Sequence, residues 1–310
     1  MSDFRSYYGR PVVKPPVWKW DIPAYLFTGG LSAGASLLAA GADATGRPAM
    51  RRSMRWTALG GIAASTYFLV HDLGRPDRFH HMLRVARPTS PMSMGTWILA
   101  TFGPAVGAAA VSELAGALPR RGPLGLVRRM LPGVGLVGGW SAAAVAPHLA
   151  TYTAVLLADT ATPAWHESHR ALPFVFSGSA LAAASGAALV AVPLEESGPA
   201  RRAAVLGAAT ELAATHVVEH RLGLQSEAFA LPGPARLLRA ARVLTAAGAA
   251  GAVLGRRSRL LSAVSGLALL VGSVCTRFGI YSGGVESAKD PRYTVVPQRE
   301  RLDADRPARA

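Results

Sequence analysis

The chain has 310 residues, of which half are hydrophobic and only 16% are charged, and its mean hydropathy is +0.26. A soluble domain carries roughly 25% charged residues, so this composition favours a membrane protein. The net charge of +15 comes almost entirely from arginines that cluster between apolar runs. That pattern is typical of the ends of membrane spans and excludes a nucleic-acid-binding face as the reason for the charge.

Eight apolar stretches are long enough to cross a bilayer, for which a helix needs about 20 mainly apolar residues. In chain order they cover about residues 22–43, 55–73, 93–118, 131–158, 171–193, 202–220, 237–254 and 259–280. The sequence therefore predicts an all-α, polytopic membrane protein with eight transmembrane helices. Residues 1–20, which lack the apolar core of a cleavable signal, and residues 282–310 are predicted to be an extramembrane arm and tail.

The distribution of arginine predicts the orientation. The turns after the first, third, fifth and seventh spans are short and basic, and they carry Arg47, Arg51, Arg52, Arg55, Arg120, Arg121, Arg128, Arg129, Arg201, Arg202, Arg256, Arg257 and Arg259. Because Lys and Arg in short loops stay in the cytoplasm, both termini and the loop at 74–91 are predicted to lie on the opposite side of the cell membrane.

A weak internal repeat divides the eight spans into two units of four. At an offset of 149 residues, Phe27 matches Phe176 and His71 matches His220. Chance matching in an Ala/Gly-rich chain is the alternative explanation. If the repeat is real, residues 21–160 and 161–281 each hold four helices, and the two units run in the same direction across the membrane.

The count of cysteines limits the redox groups that this chain can hold. Cys275 is its only cysteine, so an iron–sulfur cluster, which usually needs four thiolates, does not fit, and no internal disulfide is possible. Haem would need two histidines on facing helices, and His71 with His148 or with His216 stays open as such a pair.

The stretch from His71 to Phe79 holds a histidine, two aspartates and two arginines where the second span ends. Ionisable groups at membrane depth cost roughly 2.5–3.5 kcal/mol on insertion scales and are functional candidates by default. The alternative is an interfacial loop whose arginines contact lipid headgroups. Residues 76–87 are predicted to form a short amphipathic helix that serves as a lid, a partner-docking segment or a headgroup-binding segment.

A second group of candidates lies in the fourth span. His148 and Tyr152 are four residues apart and share a helix face, and Asp159 follows near the membrane edge. Such groups can donate and accept protons during a two-electron reaction. A structural interhelical hydrogen bond for His148 and an interfacial position for Tyr152 are the alternatives.

Three further ionisable residues, Glu113, Glu211 and His216, lie within predicted spans. A carboxyl group inside the membrane is either a member of a proton relay or a neutral, hydrogen-bonded structural acid. Both readings stay open for these residues.

Four segments, at 25–34 (YLFTGGLSAG), 72–79 (DLGRPDRF), 152–157 (YTAVLL) and 172–178 (LPFVFSG), resemble a known family. It is the NrfD/PsrC-type membrane subunits of polysulfide, nitrite and related molybdopterin or iron–sulfur oxidoreductases. The tail at 290–299 (DPRYTVVPQR) resembles the actinobacterial branch of that family.

The resemblance implies two four-helix bundles, no haem, and a quinone site near the non-cytoplasmic surface, beside a four-cluster ferredoxin-like subunit that connects to a molybdopterin subunit. Tyr152 matches the family's site tyrosine, and Asp72 and Arg75 match its acidic and basic loop residues. The Tyr-Thr-Gly of many members is Tyr-Thr-Ala here. On the first span, only Tyr25 and Thr28 offer polar groups for the pocket.

These observations lead to the hypothesis that the chain exchanges two electrons and two protons with menaquinol or menaquinone. Tyr152 and His148 would position the headgroup, Asp72 and His71 would handle protons, and Arg75 would hold Asp72 or dock the partner. A purely structural anchor and a proton-translocating, transporter-like subunit that uses Glu113, Glu211 and His216 are the alternatives. The substrate of the catalytic partner and the direction of electron flow are not encoded in this chain.

Overall fold

The computed structural model describes residues 11–220 and 222–304, which fold into helices joined by short turns. Residues 1–10 and 305–310, which belong to the predicted arm and tail, lie outside the described residues. The α-helices are α1 (Asp21–Ala44), α2 (Pro48–Asp72), α3 (Pro91–Ser112), α4 (Pro123–Ala158), α5 (Pro163–Glu167), α6 (Leu172–Ala191), α7 (Gly198–His220), α8 (Glu227–Ala230), α9 (Pro232–Leu254), α10 (Arg259–Lys289) and α11 (Arg292–Ala304).

Eight of the described helices have 20 residues or more, and each of them overlaps one of the predicted spans. Six of the eight, namely α1, α3, α4, α6, α9 and α10, are long and apolar enough to cross a membrane. The other two, α2 and α7, carry more charged and polar side chains, among them Arg55 and Arg201. The prediction of an all-helical membrane protein is therefore confirmed in its coarse form.

Several helices extend beyond the predicted spans. Helix α2 begins at Pro48 and α4 at Pro123, seven and eight residues before the predicted starts, and α10 continues to Lys289. An apolar pattern marks only the part of a helix that crosses hydrocarbon. Helices α2 and α4 begin earlier, each at a proline, because the fixed φ and missing N–H of proline cost nothing at the first position of a helix. The segment predicted as an amphipathic helix at 76–87 is instead an exposed 3-10 helix, Pro76–Leu83.

Helix α1 lies at the centre of the molecule, where it packs on α2, α4, α6 and α10. Small residues bring the backbones together, as is usual where no hydrophobic force drives helices together in lipid. A Cβ at Gly34 of α1 would lie 2.5 Å from the carbonyl oxygen of Ala180 on α6. Gly186 of α6 lies equally close to the backbone of Gly266 on α10.

Candidate functional site

Two tyrosines meet at the end of the molecule where α1 begins and α4 ends, here called the site end. The hydroxyl of Tyr25, on α1, lies 3.5 Å from the hydroxyl of Tyr152, on α4. Tyr25 is fully buried, and Tyr152 is 8% exposed. Two hydrogen-bonded hydroxyls are normally about 2.7–2.8 Å apart, so this contact is weak and both hydroxyls are available to a third polar group.

The ring of Tyr152 packs directly on a glycine of α3. A Cβ at Gly95, near the start of α3, would lie 1.9 Å from Cζ of Tyr152. Any larger residue at this position would therefore push the ring aside. Helix α3 thus sets the position of the Tyr152 hydroxyl from one side, and Tyr25 contacts it from the other.

A buried acid and a histidine lie one helical turn before Tyr25. Asp21, the first residue of α1, is 1% exposed, and its Oδ1 lies 2.9 Å from Nδ1 of His71 on α2. Its Oδ2 is buried and has no hydrogen-bond partner among the described residues. A buried carboxylate oxygen without a partner is costly, so this oxygen marks a position for a water molecule or a ligand.

The segment that leads into α1 is fixed to both halves of the chain. The backbone N–H of Lys19 donates to Oδ1 of Asp72, the last residue of α2, at 3.3 Å. The hydroxyl of Tyr281, on α10, donates to the carbonyl of Trp18, and the Trp18 ring stacks on Trp165 with centroids 6.0 Å apart. Asp72 therefore anchors this segment to α2 at the site end.

Two of the residues predicted for the site lie apart from these contacts. Arg75 and His148 are exposed, and within the described residues neither side chain makes a hydrogen bond or an ion pair. His148 is one turn before Tyr152 on α4, yet only Tyr152 is buried. The structure pairs Tyr152 with Tyr25 and His71 with Asp21, and it leaves Arg75 unpaired with Asp72. Thr28 bonds to carbonyls of its own helix.

The sequence analysis missed Asp21 and Gly95. The signal for Asp21 was present, because an acid four residues before Tyr25 shares its helix face. Gly95 gave no signal, since one glycine in a span is indistinguishable from a packing glycine until the partner helix is known.

At the opposite end of the same helices, Glu113 belongs to an ion-pair network. Its Oε1 accepts from Arg51 at 2.9 Å and from Arg55 at 2.8 Å, and its Oε2 accepts from Arg51 at 3.4 Å. Arg55 also donates to the hydroxyl of Ser112 and to the carbonyl of Gly135. Both oxygens of Glu113 are therefore engaged in holding α2, α3 and α4 together.

Glu211, another relay candidate, is buried in α7. The hydroxyl of Thr276 donates to its Oε1, while its Oε2 is buried without a partner in the described part of the chain. The next residue of α10, Arg277, is 1% exposed and donates to the carbonyl of Phe176 at 2.8 Å, and its Nε and Nη1 are also buried without a described partner. His216 is exposed and stacks on His220.

Among residues 11–220 and 222–304, no group of three or more His, Cys, Asp or Glu residues is arranged to hold a metal ion. The Tyr25–Tyr152 and Asp21–His71 pairs at the site end provide two phenols, a carboxylate and an imidazole. Hydroxyl and imidazole groups of this kind suit hydrogen bonds to the oxygens of a small polar headgroup and the transfer of protons.

One comparison with known proteins identifies a family. The family described as "Polysulphide reductase, NrfD" matches residues 11–213, about two thirds of the chain. This region includes the first five long helices, most of α7, and all the residues of the site end named above except Tyr281. No curated protein matches the chain.

Proposed function

Because the chain belongs to the NrfD family, whose members are generally quinone-interacting membrane subunits of oxidoreductase complexes, we propose that it binds menaquinol or menaquinone at the site end. A bound quinol supplies two electrons and two protons when it is oxidised to the quinone. With a single cysteine the chain cannot hold an iron–sulfur cluster by itself, so in this proposal the electrons pass to or from a partner subunit.

The observation that carries this proposal is the incomplete bonding at the site end. The hydroxyls of Tyr25 and Tyr152 are 3.5 Å apart, and Oδ2 of Asp21 is buried without a described partner. A quinone headgroup has two oxygens that accept hydrogen bonds, or donate them in the quinol. In this proposal Tyr152, which is 8% exposed, orients the headgroup, and Tyr25 supports Tyr152.

Proton transfer is assigned to the acid and the histidine next to the tyrosines. Asp21 accepts a proton through its free oxygen, and His71, at 2.9 Å from the other oxygen, passes it towards the surface, since its side chain is 53% exposed. Asp72 follows His71 in the chain and serves as the next acceptor. A role for His148 in positioning the headgroup rests only on its place one turn before Tyr152.

The proposal includes a topology. All eight long helices cross the plasma membrane and form two four-helix bundles, with α1–α4 in one and α6, α7, α9 and α10 in the other. Pairwise packing of α1 on α2, α3 on α4, α6 on α7 and α9 on α10 supports this arrangement. Arg55 and Arg201 are compatible with spanning helices because both bond internally. The basic turns face the cytoplasm, and both termini lie outside.

The partners in this proposal are a four-cluster ferredoxin-like subunit and a molybdopterin subunit. The exposed 3-10 helix Pro76–Leu83 and the preceding Arg75 are at the site end, where such a subunit would have to lie to receive electrons from the quinol. Arg75 has no intramolecular partner in the described residues, so its charge is free for docking.

The test is a tyrosine substitution in the purified complex. Tyr152→Phe should lower quinol-linked turnover about tenfold, the effect of one lost hydrogen bond in a buried site, and should weaken the binding of a quinone analogue. Tyr67→Phe is the matched control, because it removes the hydroxyl of an exposed tyrosine of α2 and keeps the ring that stacks on His71. If Tyr152→Phe leaves both turnover and analogue binding unchanged, the chain is a structural anchor.

A second candidate function, proton translocation, is favoured by Glu211 and Arg277. Three of their polar atoms are buried without partners in the described residues, and buried polar groups in this state usually bind water. Glu211→Gln would then abolish proton uptake into liposomes during turnover while electron transfer continues. Unchanged proton uptake in that variant would leave Glu211 as a structural acid.

A further inference from the structure

A long groove on the surface of α3 and α4 has no role in the proposed quinone chemistry. Its volume is about 710 Å³, and its lining includes Ala105 of α3 and Arg129, Met130, Gly133, Val134 and Ser141 of α4. From Arg129 to Ser141 the helix rises about 18 Å at 1.5 Å per residue. This is slightly more than half of the roughly 30 Å hydrocarbon core, so the groove covers a single leaflet.

Two glycines of α4 shape the groove. A Cβ at Gly138 would lie 2.8 Å from the carbonyl oxygen of Ala105, so the two helices touch there. A Cβ at Gly133, about one turn earlier, would meet nothing within 4 Å. Gly135, between them, packs on the side chain of Ser112, so α3 and α4 stay in contact there while the face of α4 that carries Gly133 is open. The side chains at the rim, including Met130 and Val134, are apolar and exposed.

Free positive charge lies at one end of the groove. Arg129 lines it, and Arg120 and Arg121 lie in the preceding turn. All three are exposed, and in the part of the chain that the structure describes none of their guanidinium groups has a hydrogen bond or an ion pair.

The turn that carries Arg120 and Arg121 is held against the start of α4. Arg128 donates to the carbonyls of Gly116 and Leu118, at 3.3 Å and 2.7 Å. Glu113, the acid that precedes this turn, is already bonded to Arg51 and Arg55. The turn that carries Arg120 and Arg121 is therefore held in place, and Glu113 does not neutralise their charges.

We propose that this groove binds one anionic phospholipid, with an acyl chain along Gly133–Ser141 and the phosphate at Arg129. Basic pockets between membrane helices recognise anionic headgroups, and an apolar groove one leaflet deep fits one acyl chain. A quinone tail would fill the groove but leave the arginines without a counter-charge, and free phosphate would neutralise the arginines but leave the groove empty. The site is separate from the site end, because Arg129 lies 23 residues before Tyr152 on α4.

Native mass spectrometry of the full-length protein, released from detergent with added lipid, tests whether the arginines select an anionic headgroup. Phosphatidylglycerol should bind more tightly than phosphatidylcholine with the same acyl chains, and inorganic phosphate should not displace it. Arg129→Gln should weaken phosphatidylglycerol binding about fivefold, the effect of one arginine near a lipid surface. Arg202→Gln is the matched control, because Arg202 is also exposed and without a described partner but does not line the groove.

A second variant tests the groove itself. Gly133→Leu should fill it and remove the binding of both lipids, and because a Cβ at this position meets nothing the protein should elute as the wild type does in gel filtration. Gly60→Leu is the control, since Gly60 is an exposed glycine of α2 that also meets nothing within 4 Å. Equal binding of the two lipids, equal effects of Arg129→Gln and Arg202→Gln, or unchanged binding to Gly133→Leu would each overturn the proposal.

Discussion

The two ends of helices α1–α4 bond their buried acids in opposite ways. At one end, both oxygens of Glu113 accept hydrogen bonds from arginines. At the site end, Asp21 has one partner, His71, and one buried oxygen with none described. A carboxylate whose acceptors are all engaged holds helices together. A carboxylate with a free oxygen can accept a hydrogen bond from a ligand. This difference distinguishes a structural acid from an acid of a binding site more clearly than burial does.

The same criterion ranks the other relay candidates. Glu211 resembles Asp21, because one of its oxygens is bonded and the other is buried without a described partner. Glu113 differs from both, although all three lie in or next to long helices. The role of Glu113 as a relay stays a prediction, and its saturated bonding is an argument for the structural alternative.

The largest effect is expected at the end that holds Glu113. Arg55→Met should lower the stability of the solubilised protein by about 3–5 kcal/mol, because removing one partner leaves the rest of a buried ion-pair network uncompensated. Thermal unfolding in detergent measures this effect. Quinol-linked turnover per folded molecule should not change, since Arg55 lies at the end remote from Tyr152.

The control is Arg52→Met. Arg52 is exposed and has no described partner, so its loss should change the stability by less than about 0.5 kcal/mol. If the Arg55→Met variant were as stable as the Arg52→Met variant, the ion-pair network of Glu113 would not be a structural one, and the contrast between the two ends would be wrong.

A smaller effect, on turnover, is expected from Gly95→Ala. The new Cβ would lie 1.9 Å from Cζ of Tyr152, so the ring must move, and a displacement of about 1 Å in a reactive geometry can cost up to a hundredfold. We expect turnover to fall about tenfold and the binding of a quinone analogue to weaken. Gly103→Ala, on the same helix, is the control, because its Cβ would meet nothing within 4 Å.

The sequence was a good guide to the helices. Apolar length alone located all eight long helices, because the cost of placing polar groups in hydrocarbon leaves a strong pattern. It did not locate the helix ends. Helix α4, for example, begins at Pro123 and includes Arg128 and Arg129 before its apolar part starts. The position of a helix end depends on the residues of the adjoining turn and on contacts with neighbouring segments, and the hydropathy pattern contains information on neither.

The site was predicted less completely. The sequence named Tyr152 and His71 as candidates, and both lie at the site end. It placed His148 beside Tyr152 and gave the acidic role to Asp72, whereas the contacts in the structure join Tyr152 to Tyr25 and His71 to Asp21. Which residues face each other across helices depends on the rotation of each helix about its axis. In α4 the small residues that permit close packing occur on several faces, so the sequence does not determine that rotation. Asp21 and Gly95 became visible only through contacts between helices.

The smallest effect is expected from a comparison of two aspartates. Asp21→Asn keeps the shape and the contact to His71 but removes the charge, so proton transfer should slow and turnover should fall about fivefold, near the low end of what general acid–base groups contribute. Stability should change little, because the buried carboxylate already lacks one hydrogen bond. Asp72→Asn, measured beside it, should have a smaller effect, since Asp72 is only partly buried and binds the backbone N–H of Lys19. If Asp72→Asn lowers turnover more than Asp21→Asn does, the acid at the end of α2 is the proton carrier, and the free oxygen of Asp21 is only a site for water.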